Sequence, residues 1–264
     1  MPSNIGLLSA GLFLASSVLN SSAPYTTTVY MLILLAISLG LGLLVDRLFW
    51  PILDQQGIEG QVSATFRIFQ EFSDRAFLRT DLSSDRYDSS LSDLTALADG
   101  SMRAANKALK TAAMTGSLSQ SERDHWEQAI ALQVRILSHL LALSRLLQDN
   151  RENPLLQELA TELSALGDSL SETFAGLSVA IIDKDPERQL PSPYLDFQRW
   201  EDQLNSMRAA GTTQSYDLIS RLMIGLIERR LEGLLSDLSK ILSWLETRSS
   251  AVSSDLSITL EPAR

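Results

Sequence analysis

No Asp, Glu, Lys, Arg or His occurs among the first 45 residues, from Met1 to Val45. All 54 formal charges, 22 basic and 32 acidic, therefore lie between Asp46 and the end of the chain. An ionisable side chain at the centre of a bilayer costs about 2.5 to 3.5 kcal/mol on insertion scales, so this stretch is compatible with hydrocarbon. It is also long enough to cross a membrane twice.

Two apolar runs make up the charge-free segment, and a polar connector containing Pro24 and Tyr25 separates them. The second run, 29–50, rises about 33 Å as a helix, which matches a hydrocarbon core of about 30 Å. We interpret the shorter first run as a span over about 5–22, so that 1–51 forms a transmembrane helical hairpin. The alternative is a cleaved leader before a single span, although Met1 to Asn4 lack the basic residues of a leader.

Small residues recur four apart in both runs, a spacing that lets membrane helices approach each other closely. The candidate packing positions are Gly6, Ala10, Ala36, Gly40 and Gly42. The alternative interpretation is that Gly and Ala are simply common in membrane helices. On the first interpretation the spans pack against a copy of this chain or against a partner membrane protein.

Three residues at the end of the second run are predicted to anchor it at the membrane interface. Arg47 can extend to the headgroups, Trp50 suits the interfacial belt, and Pro51 marks the turn out of the bilayer. Because the connector carries no basic residue, the positive-inside rule predicts that residues from Asp46 onward face the cytoplasm. The expected location is the inner (plasma) membrane of a bacterium.

The rest of the chain is acidic and carries the whole net charge of −10. An acidic domain argues against nucleic acid as a partner and against electrostatic attraction to anionic lipid. The chain has no cysteine, which excludes disulfides and thiolate chemistry.

Apolar residues beyond Pro51 follow a helical period almost throughout, which predicts an all-α fold. A first helix contains Val62, Phe66 and Phe69, and a second runs from near Asp85 to Gly116 and is weakened at Gly100. The third is predicted to open with a capping box of Ser121 and Asp124. For the fourth, Asn153 supplies a capping side chain and Pro154 the first helical residue.

Leucine stripes mark the two longest remaining helices. One stripe is spaced with an 11-residue period, which favours a nearly straight seam: Leu155, Leu159, Leu163, Leu166, Leu170, Phe174, Leu177 and Ile181. The other follows a heptad, and apart from a core role it is the candidate oligomer seam: Leu231, Leu234, Leu238, Ile241 and Leu245. Long helices with narrow apolar stripes predict an elongated antiparallel helical bundle over 52–250.

Two segments interrupt or end the predicted bundle. Three prolines and five charges within 183–194 cannot continue a helix, so the segment 183–196 is interpreted as a crossover or hinge. The polar tail 251–264 is expected to fray.

The sequence offers no catalytic constellation, cofactor motif or metal site, and we expect no enzyme activity. On one helix His125 and His139 lie about 21 Å apart and cannot share a metal, and His125 is expected to be exposed. Glu228 and Glu232 accompany neighbouring arginines, as on a solvated helix face.

The junction from Gly40 to Pro51, followed by a helix holding Phe66, Phe69 and Phe72, resembles the fusaric acid resistance or aromatic acid exporter family. In that family a last span ends in an Arg-Leu-x-Trp-Pro pattern and continues into a cytoplasmic helical domain. Arg47, Leu48, Trp50 and Pro51 occupy those positions here. The resemblance implies efflux of amphipathic organic acids driven by an ion gradient.

Exporters of that family carry about six spans in each membrane domain, whereas this chain would hold only the last two spans of the first. It is therefore interpreted as a truncated homologue, one piece of a split gene or an incomplete gene model. Transport would therefore need a homo-oligomer or a partner membrane protein that supplies further spans, and the bundle would act in assembly or gating. The alternative is a membrane-anchored helical scaffold or interaction protein without transport activity. A membrane-bound sensor is a third class, disfavoured because no output module accompanies the bundle.

Overall fold

The computed structural model describes residues 57–77, 84–183 and 190–258, with side-chain surroundings from Ser89 onward in the second range and up to Arg248 in the third. All of them belong to one compact unit, Asp54–Arg264. This described part of the chain is all-α and contains no strand. The predicted fold class is confirmed to that extent.

Helix α1 covers 57–77. It is followed by α2 (Ser84–Thr115), α3 (Gln120–Asp149), the short α4 (Pro154–Glu158) and α5 (Ala160–Asp183). The predicted crossover, 183–196, overlaps the last residue of α5 and the first three residues of α6 (Tyr194–Ala209), and 184–189 lie outside the described residues. A 3₁₀ turn (Thr212–Ser215) and α7 (Leu218–Ile258) follow α6.

Helix α2 is continuous through Gly100, where the sequence predicts a weakening. A single glycine costs only about 1 kcal/mol within a helix, and the buried Leu94, Ala98, Met102 and Ala105 hold both sides of it in the core. The helix ends where predicted, because Gly116 adopts a left-handed conformation at φ 67° that favours glycine.

The capping box of α3 lies two residues before the predicted one. The Ser119 hydroxyl accepts from the Glu122 backbone N–H at 3.2 Å, and the Ser119 N–H donates to the Glu122 carboxylate at 2.8 Å. A capping box needs an acidic side chain that reaches back across one helical turn. Glu122 does so more readily than the shorter Asp124, which explains why the box forms with Ser119 and Glu122 and not with Ser121 and Asp124. The predicted box of Ser121 and Asp124 is therefore wrong.

The predicted start at Asn153 is confirmed, since its side chain accepts from the Leu155 N–H at 3.0 Å and Pro154 opens the helix. The helix is not continuous, however: α4 ends at Glu158 with Leu159 as its C-cap, and α5 begins at Ala160. The long leucine stripe nevertheless remains buried from Leu155 to Ile181 across this break. The prediction of one helix that carries the whole stripe is therefore wrong at Leu159, whereas the predicted burial of the stripe is confirmed.

Helices α3 and α7 run antiparallel in close contact. Near the start of α3, His125 accepts at its backbone carbonyl from the Trp244 indole at 2.8 Å. Further along α3, a Cβ added to Gly233 would lie 2.5 Å from the His139 ring. Residues later in α3 therefore contact residues earlier in α7, so the two helices are antiparallel.

Helices α1 and α5 are likewise antiparallel, with Ser63 donating to the Ser178 carbonyl at 2.6 Å and Phe77 against Gly167 at the other end. Phe66 and Phe69 of α1 pack on Phe174 of α5, with ring centroids 6.3 and 5.6 Å apart. These rings are fully buried and form the centre of the core.

The candidate oligomer seam lies in this core. Leu231, Leu234, Leu238 and Ile241 are at most 2% exposed, and Leu245 is partly buried against the same cluster. The heptad serves the packing of α7 within its own chain, so these residues are not available to a second copy. Helix α7 also continues to Ile258, beyond the predicted end at 250.

Two described helices, Gln120–Asp149 and Ala160–Asp183, are long and apolar enough to cross a membrane by length and composition, and this weakly suggests membrane association. Half of the most apolar window of the first and 61% of that of the second are buried inside the unit, as in core helices. The predicted spans 5–22 and 29–50, the packing positions in them, and the anchors Arg47, Trp50 and Pro51 lie outside the described residues.

Candidate functional site

Arg248 of α7 is the centre of the first candidate site, a cluster of charged and aromatic side chains that we name the Arg248 cluster. Its guanidinium pairs with Glu59 of α1 and donates to the Ile181 carbonyl of α5 at 3.3 Å. The two charged side chains are only 10% and 8% exposed. A single side chain of α7 therefore joins the beginning of α1 to the end of α5.

Two indoles of the same cluster cover the guanidinium. The Arg248 Cζ lies 4.5 Å from the centroid of Trp126 and 5.8 Å from that of Trp244. The indoles meet edge to face at 5.2 Å. A desolvated cation over an aromatic face gains about 2 kcal/mol, which favours Arg over Lys at this position. Burial lowers the pKa of Arg248, while the charge of Glu59 and its hydrogen bond act in the opposite direction.

His125 belongs to the Arg248 cluster and is not exposed as the sequence suggested. Its ring stacks on Trp244 with centroids 4.8 Å apart, and its buried Nε2 has no hydrogen-bond partner among the described residues. Burial, followed by the positive charge of Arg248, lowers the pKa of His125, while a hydrogen bond with the Trp244 backbone raises it. The net effect favours the neutral form of the imidazole.

Asp237 of α7 is the centre of a second cluster, which we name the Asp237 cluster. Its carboxylate is completely buried, with Arg135 of α3 at 2.6 Å and Lys240 of its own helix at 3.1 Å. His139 Nε2 is 3.5 Å from the second carboxylate oxygen. The arginine and lysine side chains are 56% and 47% exposed, so their charges remain in water while the carboxylate does not.

The pKa of His139 in the Asp237 cluster is also lowered. Burial lowers its pKa, the Asp237 charge raises it, and the charges of Arg230 and Arg135 lower it again. His139 and His125 occupy one unbroken helix, as the prediction that they cannot share a metal requires. Across the described ranges, no group of three or more His, Asp or Glu side chains could hold a metal ion.

Glu228 makes a contact that the sequence did not predict. Instead of a solvated face, it accepts two hydrogen bonds from the Arg208 guanidinium of α6, at 2.8 and 3.2 Å. The hydrogen bond and charge of Glu228 raise the pKa of Arg208. Glu232 remains exposed, as predicted.

Two apolar features lie on the surface of the unit. The α7 stripe consists of Leu218, Ile219, Leu222 and Leu226, which are 48–69% exposed. The α2–α3 groove consists of two adjoining cavities of about 600 and 330 Å³ that share Leu141 and Arg145. Its apolar lining comes from Leu91 and Ala96 of α2 and from Val134, Leu137, Leu141 and Ala142 of α3.

Sequence reasoning missed both buried charges. The available signal for Asp237 was its place between Leu234 and Ile241, one turn from each, on a face otherwise filled with leucine. Arg248 and Glu59 gave no signal, because these two residues, which pair with each other, lie 189 residues apart in the sequence. The chain matches no known protein-family model, no curated protein and no solved structure.

Proposed function

We propose that this chain is a membrane-anchored helical subunit or fragment of an efflux transporter of the aromatic acid exporter kind, located in a bacterial inner membrane. Its helical unit acts as an antiparallel cytoplasmic bundle in assembly or gating. The observation that carries the proposal is the order of features along the chain. The 45 charge-free residues are followed by the proposed interface junction, Arg47 to Pro51, and then by a helix from residue 57 that contacts the rest of the unit.

The membrane part of the proposal rests on the first 51 residues. A hairpin over 5–22 and 29–50 supplies the anchor, and Arg47, Trp50 and Pro51 hold its cytoplasmic end. Because two spans cannot enclose a solute path, transport needs further spans from copies of the chain, from a partner membrane protein or from sequence that continues this chain upstream. Small residues such as Gly6, Ala10 and Gly40 suit that close packing.

The gating part of the proposal is supported by the contacts of α1, the first described helix after the junction. Glu59 pairs with Arg248 of α7, and the Val62 carbonyl accepts from the Gln133 amide of α3 at 2.9 Å. Ser63 donates to α5 at 2.6 Å. Each bond is buried, so a rotation or shift of α1 must be followed by α3, α5 and α7 or else leave buried polar groups unsatisfied.

The second candidate function is that of a membrane-anchored scaffold that binds a partner and transports nothing. The exposed α7 stripe favours it, because apolar residues grouped on one helix face mark a protein contact. A scaffold and a transporter subunit differ in whether solute moves.

The proposal predicts that a neighbouring open reading frame encodes multiple apolar spans. The test measures export of a radiolabelled aromatic carboxylate, benzoate, from bacteria that produce the chain together with the product of that reading frame. We expect faster export than in cells with the neighbour alone, and loss of the gain with Glu59→Ala. The exposed Glu71→Ala on the same helix is the matched control and should export normally. Equal export with and without the chain would contradict the transporter and favour the scaffold.

Membrane anchoring is tested separately. The full chain should stay in the membrane fraction at high pH. Since there is no cysteine, Ser84→Cys and Ser22→Cys each provide one site for an impermeant thiol reagent. We expect labelling of Ser22→Cys from outside the cell and of Ser84→Cys only after lysis. Release of the chain at high pH, or the reverse labelling, would refute the proposed anchor.

A further inference from the structure

The Asp237 cluster carries more positive charge than its carboxylate balances. Arg135 and Lys240 both contact the same carboxylate oxygen, Oδ1, while the second oxygen faces His139. Arg230 lies two turns before Asp237 on the same side of α7, and its charge lowers the pKa of His139. Arg230 is exposed and has no ion pair with another described residue. Three positive charges around one negative charge leave this cluster with a net charge of +2.

The buried carboxylate holds two of these cations close together. Arg135 Nη2 lies 2.6 Å from Oδ1 of Asp237, and Lys240 Nζ lies 3.1 Å from the same atom. The two nitrogens are therefore at most about 5.7 Å apart, which is the sum of these two distances. Like charges at that separation repel each other, and an anion between them replaces the repulsion with attraction.

Most hydrogen-bond donors of these two cations are directed to water. A guanidinium has five N–H groups and an ammonium has three. Lys240 donates one hydrogen bond to Asp237, and the contact of Arg135 with Asp237 is its only ion pair among the described residues. Because the Arg135 and Lys240 side chains are 56% and 47% exposed, a ligand from solution can reach the remaining donors.

The acidic side chains of α7 that are nearest in sequence do not cancel this charge. Glu228 pairs with Arg208 of α6, and Glu232, one turn later, lies with Glu228 near Glu201 of α6. At about 100° per residue, Glu232 and Glu228 project about 140° and 180° away from Asp237 around the helix. The cluster is therefore a positive patch on a chain whose net charge is −10.

We propose that Arg135, Arg230 and Lys240 form a binding site for a phosphate group, carried by a phosphomonoester. Such a group has a charge of about −1.5 to −2 near pH 7, which matches the net charge of the cluster, whereas a carboxylate has only −1. Arginine binds phosphate through its planar fork and lysine binds it as a point charge. Asp237 acts as a positioning residue, because it fixes two of the three cations. The site is independent of the transport function proposed above.

Equilibrium dialysis of the purified full chain in mild detergent against radiolabelled inorganic phosphate tests the site. We expect saturable binding that methyl phosphate displaces and that acetate at the same ionic strength does not. Arg230→Gln should weaken phosphate binding about tenfold without loss of helix content, because it breaks no ion pair within the described residues. Lys240→Gln should have a similar effect, and Lys240→Arg should retain binding. Arg221→Gln, exposed on the opposite side of α7, is the matched control and should bind normally.

Asp237→Asn separates positioning from simple charge attraction. The change removes a negative charge beside the site, so attraction alone would make phosphate bind more tightly. If Asp237 positions Arg135 and Lys240, the variant should instead bind phosphate several-fold more weakly. Tighter binding by Asp237→Asn would overturn the positioning role.

Two competitors identify the source of the phosphate group. Methyl phosphate and short-chain phosphatidic acid carry the same phosphomonoester, but only the second has acyl chains. Equal competition supports the site with a soluble ligand, and much stronger competition by the lipid supports it with a membrane headgroup. The proposal is overturned if phosphate does not bind saturably, if neither competitor displaces it, or if Arg230→Gln and Lys240→Gln bind no more weakly than Arg221→Gln.

Discussion

Helix α7 buries two charged side chains, Asp237 and Arg248, about three turns apart, and the surroundings of the two differ. Asp237 is completely buried, but the Arg135 and Lys240 side chains that neutralise it are about half exposed. Arg248 and its carboxylate partner Glu59 are both nearly buried, and two indoles cover the guanidinium.

The comparison indicates how each cluster responds to the loss of one partner. In the Asp237 cluster, the remaining cations are already in contact with water, so the loss of the carboxylate leaves no buried charge. In the Arg248 cluster, the loss of the carboxylate leaves a guanidinium that cannot reach water without opening the aromatic contacts. The Arg248 cluster should therefore lose far more stability than the Asp237 cluster when one partner is removed, although both contain a buried ion pair.

The largest effect is expected from Glu59→Ala. Removal of one partner of a buried pair costs about 3–5 kcal/mol, and we expect that loss in the free energy of unfolding of the full chain in mild detergent, followed by circular dichroism. Glu59→Ala with Arg248→Met should recover at least half of it. The exposed Glu71→Ala on the same helix should cost less than about 1 kcal/mol. Equal losses for Glu59→Ala and Glu71→Ala would refute the comparison.

A smaller effect is expected from Asp237→Asn. The amide keeps the shape of the side chain, and Arg135 and Lys240 return to water, so we expect a loss of about 1–2 kcal/mol by the same measurement. A loss as large as that of Glu59→Ala would mean that the exposed cations are held more firmly than their surroundings suggest.

Gly233→Ala places a methyl group against His139 of the Asp237 cluster. The added Cβ would lie 2.5 Å from His139 Cε1, and the ring must swing away. Overpacking costs about 1–3 kcal/mol, but Ala gains about 1 kcal/mol over Gly in a helix, so the net loss should be about 1 kcal/mol. Gly225→Ala has open space and should stabilise the chain by about 0.5–1 kcal/mol. Stabilisation by both substitutions would contradict the close contact at His139.

The smallest effect concerns pH. Because the pKa of His139 lies below its ordinary value of 6.5, the unfolded chain binds this proton more readily than the folded chain. The contribution of His139 to stability is complete above pH 6.5 and is lost as the pH falls through its lower folded value. His139→Gln should therefore flatten the fall in melting temperature between pH 7.5 and 5. A steeper fall in melting temperature for His139→Gln would contradict this prediction.

Much of the described fold could be predicted from the sequence, because its signals are local. Asn153 and Pro154 open a helix, Gly116 ends one, and the leucine stripe from Leu155 to Ile181 is buried where its period places it. Each of these outcomes depends on residues within a few turns of one another.

The candidate sites could not be predicted, because they depend on partners far along the chain. His125 is half-buried only because Trp244 stacks on it, and Asp237 is tolerated in the core only because Arg135 of another helix reaches it. The heptad from Leu231 to Leu245 fits an internal seam and an oligomer seam equally well, and only packing against the rest of the core assigns it. The break at Leu159 likewise gave no local signal.

The separation of Glu59 and Arg248 also has a consequence for synthesis. A ribosome that adds about 5 to 20 residues each second makes Arg248 roughly 10 to 40 s after Glu59. The nascent α1 can therefore reach its final environment only when nearly the whole described chain has left the exit tunnel. A prematurely terminated product would lack the arginine and remain open to proteolysis, so this late contact distinguishes finished chains from unfinished ones.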